Sequence, residues 1–121
     1  MTAHRYAQWL LAIALTHFSL GVFIFWSELG EIARAGVFAS LNPDNLNTAV
    51  AFWFLMFSLP LLTVSAALWH NQQAVGQPVI VMSLVSAGIG CVLMPASGFW
   101  TLLVLALVAL WRNRSPAMAH A

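Results

Sequence analysis

The chain has 121 residues, of which 62% are hydrophobic and 6% charged, and its formal net charge is +1. Soluble domains carry about 25% charged residues, so this composition excludes an ordinary water-covered globular domain, and it offers no basic patch suited to nucleic acid. The single cysteine, Cys91, excludes an intrachain disulfide and a cysteine metal cluster, and in its apolar run it reads as an inert buried thiol.

With no long polar segment, residues 1–121 read as a single all-α transmembrane domain. After a short polar start (residues 1–6), the first span covers residues 7–26. About 20 helical residues at roughly 1.5 Å each match the thickness of a bilayer's hydrocarbon core. At about 100° per residue, Ala7, Ala14, His17, Gly21 and Glu28 share one face, whose small residues admit a close neighbour. A signal peptide ending at Ala33-Arg34-Ala35 is disfavoured, because the apolar run is too long and stops well before that site.

Residues 27–41 change character. Leu29, Ile32, Ala33, Gly36, Val37 and Leu41 follow helical spacing, with Glu28, Glu31 and Arg34 off that face. The pattern predicts an amphipathic interfacial helix or an extension of the first span. Asn42-Pro43-Asp44-Asn45 reads as a turn. The second span covers residues 48–69, and Pro60 predicts a kink because it has no N–H for the carbonyl of Met56.

A polar loop at residues 70–77 precedes the third span, residues 79–94. Its stripe of Ser83, Ser86, Ala87, Gly90 and Cys91 reads as a packing seam, and as a candidate homo-oligomer contact. Pro95-Ala96-Ser97-Gly98 breaks the run. The fourth span, residues 99–111, reaches only about 20 Å, which places the break below the membrane surface or starts the helix inside it. A polar tail, residues 112–121, follows.

Arg5, Arg112 and Arg114 lie toward the termini, and Glu28, Glu31 and Asp44 in the first loop. The positive-inside rule then puts both termini in the cytoplasm, with four spans. The tryptophans agree: Trp9, Trp69 and Trp111 mark one interface, and Trp26, Trp53 and Trp100 the other.

The residues Ala49-Val50-Ala51-Phe52-Trp53-Phe54, the string Met94-Pro95-Ala96-Ser97-Gly98-Phe99-Trp100 and the H-x-x-x-G of His17 to Gly21 resemble a family of small bacterial four-helix membrane proteins known only as a domain of unknown function. The resemblance extends over most of the chain. It implies a bacterial inner membrane and assigns neither an activity nor a site.

His17 leads the candidates for chemistry, since an ionisable group near mid-span must face protein or a wet cavity. It reads either as a proton relay, ligand contact or cofactor ligand, or as a neutral imidazole hydrogen-bonded to Ser or Thr on a neighbouring helix. Bis-His haem ligation lacks a second imidazole at that depth, because His4, His70 and His120 lie near the ends of spans or in polar segments. No cofactor is expected. A second constellation is Trp26, Glu28, Trp53, Met94, Pro95, Ser97 and Trp100, where indole faces and a carboxylate can hold an organic cation. Against this stands a plain aromatic belt. The third, Glu28, Glu31 and Asp44, has the chemistry for a divalent cation but fits a solvated loop better.

No Ser/His/Asp set, His-x-x-x-His or phosphate loop is present, which leaves hydrolytic chemistry without support. The leading expectation is a four-helix bundle that binds or transports a small apolar or cationic ligand in an outward-opening cavity. The expected lining is His17, Trp26, Glu28, Trp53, Met94, Ser97 and Trp100. The alternatives are an accessory subunit or assembly factor of a membrane complex, and an enzyme on a lipid-like substrate with His17 as acid or base.

Overall fold

The computed structural model describes residues 1–36, 46–93 and 98–114. The turn at residues 42–45, the break residues 94–97 and the tail beyond residue 114 lie outside them. The described residues are all-α and contain no strand. They form α1 (Ala3–Ile24), α2 (Trp26–Arg34), α3 (Leu46–Met56), α4 (Ser58–Leu68), α5 (Gln77–Leu93) and α6 (Phe99–Arg114). Two stretches, Ala3–Ile24 and Leu46–Leu68, are long and apolar enough to cross a membrane, and Gln77–Leu93 is a shorter apolar helix.

The first helix starts earlier than its apolar run. The Thr2 hydroxyl caps it by accepting from the Arg5 N–H at 3.3 Å. Ala3 and Tyr6, within the polar start, are fully buried. The buried residues of α1 are Ala3, Tyr6, Ala7, Leu10, Ala14 and Gly21. Apart from Tyr6 they recur at alternating spacings of three and four, with His17 filling the gap before Gly21. That period keeps one stripe facing a neighbour along the whole helix. The neighbour is chiefly α4, with α3 against its far end and α6 alongside. The Ser65 hydroxyl fixes the α1–α4 pairing by donating to the Ala7 carbonyl at 2.8 Å.

The kink predicted from Pro60 takes the form of an interruption at Phe57, just after the Met56 carbonyl that proline cannot serve. The first helix likewise stops at Phe25 (φ −103°, ψ 28°), and α2 continues as a separate short helix with no buried residue.

The small-residue stripe on α5 receives α6 of the same chain. Ala87, Gly90 and Cys91 are buried, while Ser86 is exposed. A Cβ on Gly90 would run into the Phe99 ring, so only glycine allows that approach. The stripe proposed as a seam between copies is therefore occupied within the chain. The last helix also runs past residue 111 to Arg114, and Arg112 and Arg114 in its final turn complement the helix dipole.

At one end of the molecule the chain is knotted by hydrogen bonds. The Ala3 N–H donates to the Gln73 carbonyl at 2.7 Å, and the Val75 N–H to the Met1 carbonyl at 3.1 Å. Asn113, from α6, joins them: its Oδ1 accepts from the Met1 ammonium at 2.8 Å and its Nδ2 donates to the Val75 carbonyl at 3.0 Å. His4 Nδ1 engages the Trp69 carbonyl at the end of α4. Among the described residues no buried side-chain polar atom lacks a partner.

Candidate functional site

His17 sits on the packing stripe of α1, between Ala14 and Gly21. Gly21 determines what surrounds it. A Cβ there would meet Leu55 Cδ2 at 2.6 Å and Phe54 Cδ1 at 2.9 Å, so the bare glycine lets α3 close onto α1. That approach lays the Phe54 ring on the imidazole, with centroids 4.1 Å apart and planes 13° from parallel. Phe57 flanks the pair at 5.6 Å. His17 Nδ1 and Ser58 Oγ share a hydrogen bond at 3.1 Å. The Ser partner expected of a packed imidazole is thus present, and it stands just past the interruption at Phe57.

Two recesses meet at this histidine. A cleft of about 380 Å³ lies between α1, the α3–α4 segment and the start of α6, walled by Val50, Trp53, Phe54, Phe57 and Phe99 among others. A longer groove of about 790 Å³ follows the α1–α6 interface, from Trp100 and Leu20 to Trp9 and Arg112. Ile13, His17, Phe54 and Gly98 line both. His17 is the one ionisable side chain among the described residues lining the cleft.

Over residues 2–116 the chain matches a family of unknown function, DUF6463. The chain belongs to that family. No curated protein and no solved structure matches it. Membership in a domain-of-unknown-function family agrees with the resemblance carried by the H-x-x-x-G, AFWF and MPxSGFW strings, and it brings no assigned activity to this DUF6463 chain.

The expected ligand-contact residues divide. Trp53 joins His17 in the cleft, and Trp100 joins it in the groove. Trp26 and Glu28 line neither, because the chain turns at Phe25 and carries both on α2; Trp26 is 73% exposed. The Glu28 carboxylate instead accepts from the Ser27 hydroxyl at 2.7 Å. That bond, with help from the backbone, holds its carboxyl below the usual carboxylate range. Met94 and Ser97 lie outside the described residues.

The wall that sequence reasoning did not single out is phenylalanine. Phe54 and Phe57 are three residues apart, hence on one helix face, and Phe57 meets Phe99 edge-on at 5.3 Å. Spacing alone held that signal. Chemically, the site offers an aromatic stack, one imidazole with a hydroxyl partner, and apolar walls. It can hold an apolar body and give or accept one hydrogen bond.

Proposed function

We propose that this is a multi-pass protein of the bacterial inner membrane, its four apolar segments bundled, which binds a small and mainly apolar ligand in the His17 cleft. One observation carries the ligand reading: an otherwise apolar cleft ends on a single stacked imidazole. Clefts of about 300–1,000 Å³ with apolar walls and few polar groups are typical of small-molecule sites. No described carboxylate faces the cleft, which favours an apolar ligand over a cationic one.

The membrane reading draws on the surface. Large apolar side chains are exposed along every long helix, among them Phe18 and Phe23 on α1, Leu59 on α4, Val85 and Ile89 on α5, and Leu107 on α6. A water-soluble monomer rarely exposes so much continuous apolar area. Trp9 to Trp26 along the chain is about 25 Å of helix, which suits two interfacial belts. The cleft belongs to the Trp53 end, so with cytoplasmic termini it opens outward.

Native mass spectrometry of protein released from mild detergent tests the site. The expected result is a small-molecule adduct that is lost in His17→Ala and in Ala49→Trp, which fills the cleft. A non-phospholipid adduct retained by both variants, or no such adduct at all, rejects the cleft as a binding site.

A second reading, an accessory subunit of a membrane complex, draws on the His17–Ser58 hydrogen bond, which gives the imidazole a packing role without any ligand. It predicts a protein partner that survives purification and is kept by His17→Ala.

A further inference from the structure

Unlike the His17 cleft, the α1–α6 groove has a charged end. Its walls are apolar along Leu20, Ile13, Val104 and Val108, and it closes beside Trp9 and Arg112. Among the described residues no hydrogen bond or ion pair engages the Arg112 guanidinium. Arg5 and Arg114 lie toward the same end, whereas the described carboxylates, Glu28 and Glu31, sit on α2 beyond the other end of α1.

We infer that this groove is a binding site for an anionic phospholipid of the cytoplasmic leaflet, one acyl chain lying between α1 and α6 and the phosphate meeting Arg112. The inference rests on the membrane orientation proposed above, not on the His17 ligand. From Thr101 to Arg112 the groove follows about 16 Å of helix, enough for much of an acyl chain in one leaflet. A guanidinium with no partner among the described residues, at the groove's mouth, matches a phosphate in charge and in fork geometry. Trp9, which lines the same groove, supplies an indole at headgroup level. Basic pockets between helices on the cytoplasmic side favour anionic headgroups for the same reasons.

The test uses the full chain, delipidated in mild detergent and titrated with phosphatidylglycerol or with phosphatidylcholine of identical chains, with one-to-one adducts read by native mass spectrometry. Wild type should favour phosphatidylglycerol about fivefold. Arg112→Gln should erase the preference, and Val104→Trp, which fills the groove, should remove both adducts. Arg114→Gln removes the same charge from the same helix end but lies off the groove, and should keep the preference. An equal loss in Arg112→Gln and Arg114→Gln, or adducts undiminished in Val104→Trp, overturns the site. Free inorganic phosphate should not compete; competition by phosphate would show that the chain contributes nothing and overturn the lipid assignment. Ala49→Trp separates the two sites, since it closes the His17 cleft and should leave the phosphatidylglycerol preference unchanged. Reconstitution into phosphatidylcholine vesicles separates the two readings: failure of the protein to enter them would reject the membrane reading itself, whereas entry without an anionic preference in the titration rejects only the groove.

Discussion

The two ends of the molecule are held by different physics. At the Met1 end, backbone pairs between residues 1–4 and 71–75 and the two-sided Asn113 amide tie three chain segments together. At the Trp53 end, order comes from close approach: Gly21 beneath Phe54 and Leu55, Gly90 beneath Phe99, and rings against His17. Directional bonds fix the relative position of the segments they join. Rings held by glycine gaps leave irregular apolar volume between them, and that is where the cleft lies. The end built from rings holds the His17 cleft between its rings, while the end built from hydrogen bonds clamps three segments beside the mouth of the α1–α6 groove.

The contrast breaks most visibly at Gly90. Gly90→Val drives a branched side chain into the Phe99 ring, and overpacking of this kind typically costs about 1–3 kcal/mol. Thermal unfolding in detergent should report a destabilisation at the top of that range. Loss of the cleft adduct should accompany it, because Phe99 is part of the cleft wall. Wild-type stability in Gly90→Val would mean that α5 and α6 do not meet as described.

At the clamp the loss should be smaller and should leave the site intact. Asn113→Ala strands the Val75 carbonyl and the Met1 ammonium together, at about 2 kcal/mol. Its unfolding midpoint should fall while the adduct in the cleft persists. If Asn113→Ala empties the cleft as well, the two ends are coupled and the division between clamp and pocket fails.

Much of this architecture was readable from residue spacing, and its exceptions have physical causes. The small face of Ala7, Ala14 and Gly21, the interruption near Pro60 and the serine partner of His17 follow from helical geometry and from the cost of a lone polar group. Hydropathy misplaced the start of α1 and the end of α6, since a polar residue at a helix end looks like a loop. A Thr2 cap and a dipole-compensating Arg112 and Arg114 are what extend those helices. The clamp was illegible because half of its bonds are backbone to backbone and all of them join segments distant in sequence. The site was half legible: His17 announced itself by charge, whereas Phe54, Phe57 and Phe99 resemble any apolar residue in an apolar run. Trp26 and Glu28 share a level with the cleft in sequence arithmetic, but a single turn at Phe25 removes them from it.

Ser58→Ala probes the ring-built end more gently. It removes the hydroxyl facing His17 Nδ1 and should cost about 1 kcal/mol. Under the ligand reading the imidazole is then free to bond the guest, so the adduct should be retained or strengthened. Under the accessory reading His17 only packs, and the sole effect is the lower stability.

The smallest effect belongs to Glu28, and its sign separates α2 from the site. The Ser27 hydroxyl stabilises the carboxylate, so the folded pKa lies below the unfolded one. The resulting stabilisation is present above the ordinary carboxylate range and disappears as pH falls through the lowered value. Ser27→Ala should flatten that acid-side dependence, and because the carboxylate is solvated the change should be slight. Adduct occupancy in the His17 cleft should be the same on both sides of the transition. An occupancy that follows the titration of Glu28 would instead bring α2 to the mouth of the cleft, make its carboxylate part of the recognition surface, and restore a cationic ligand as the better fit.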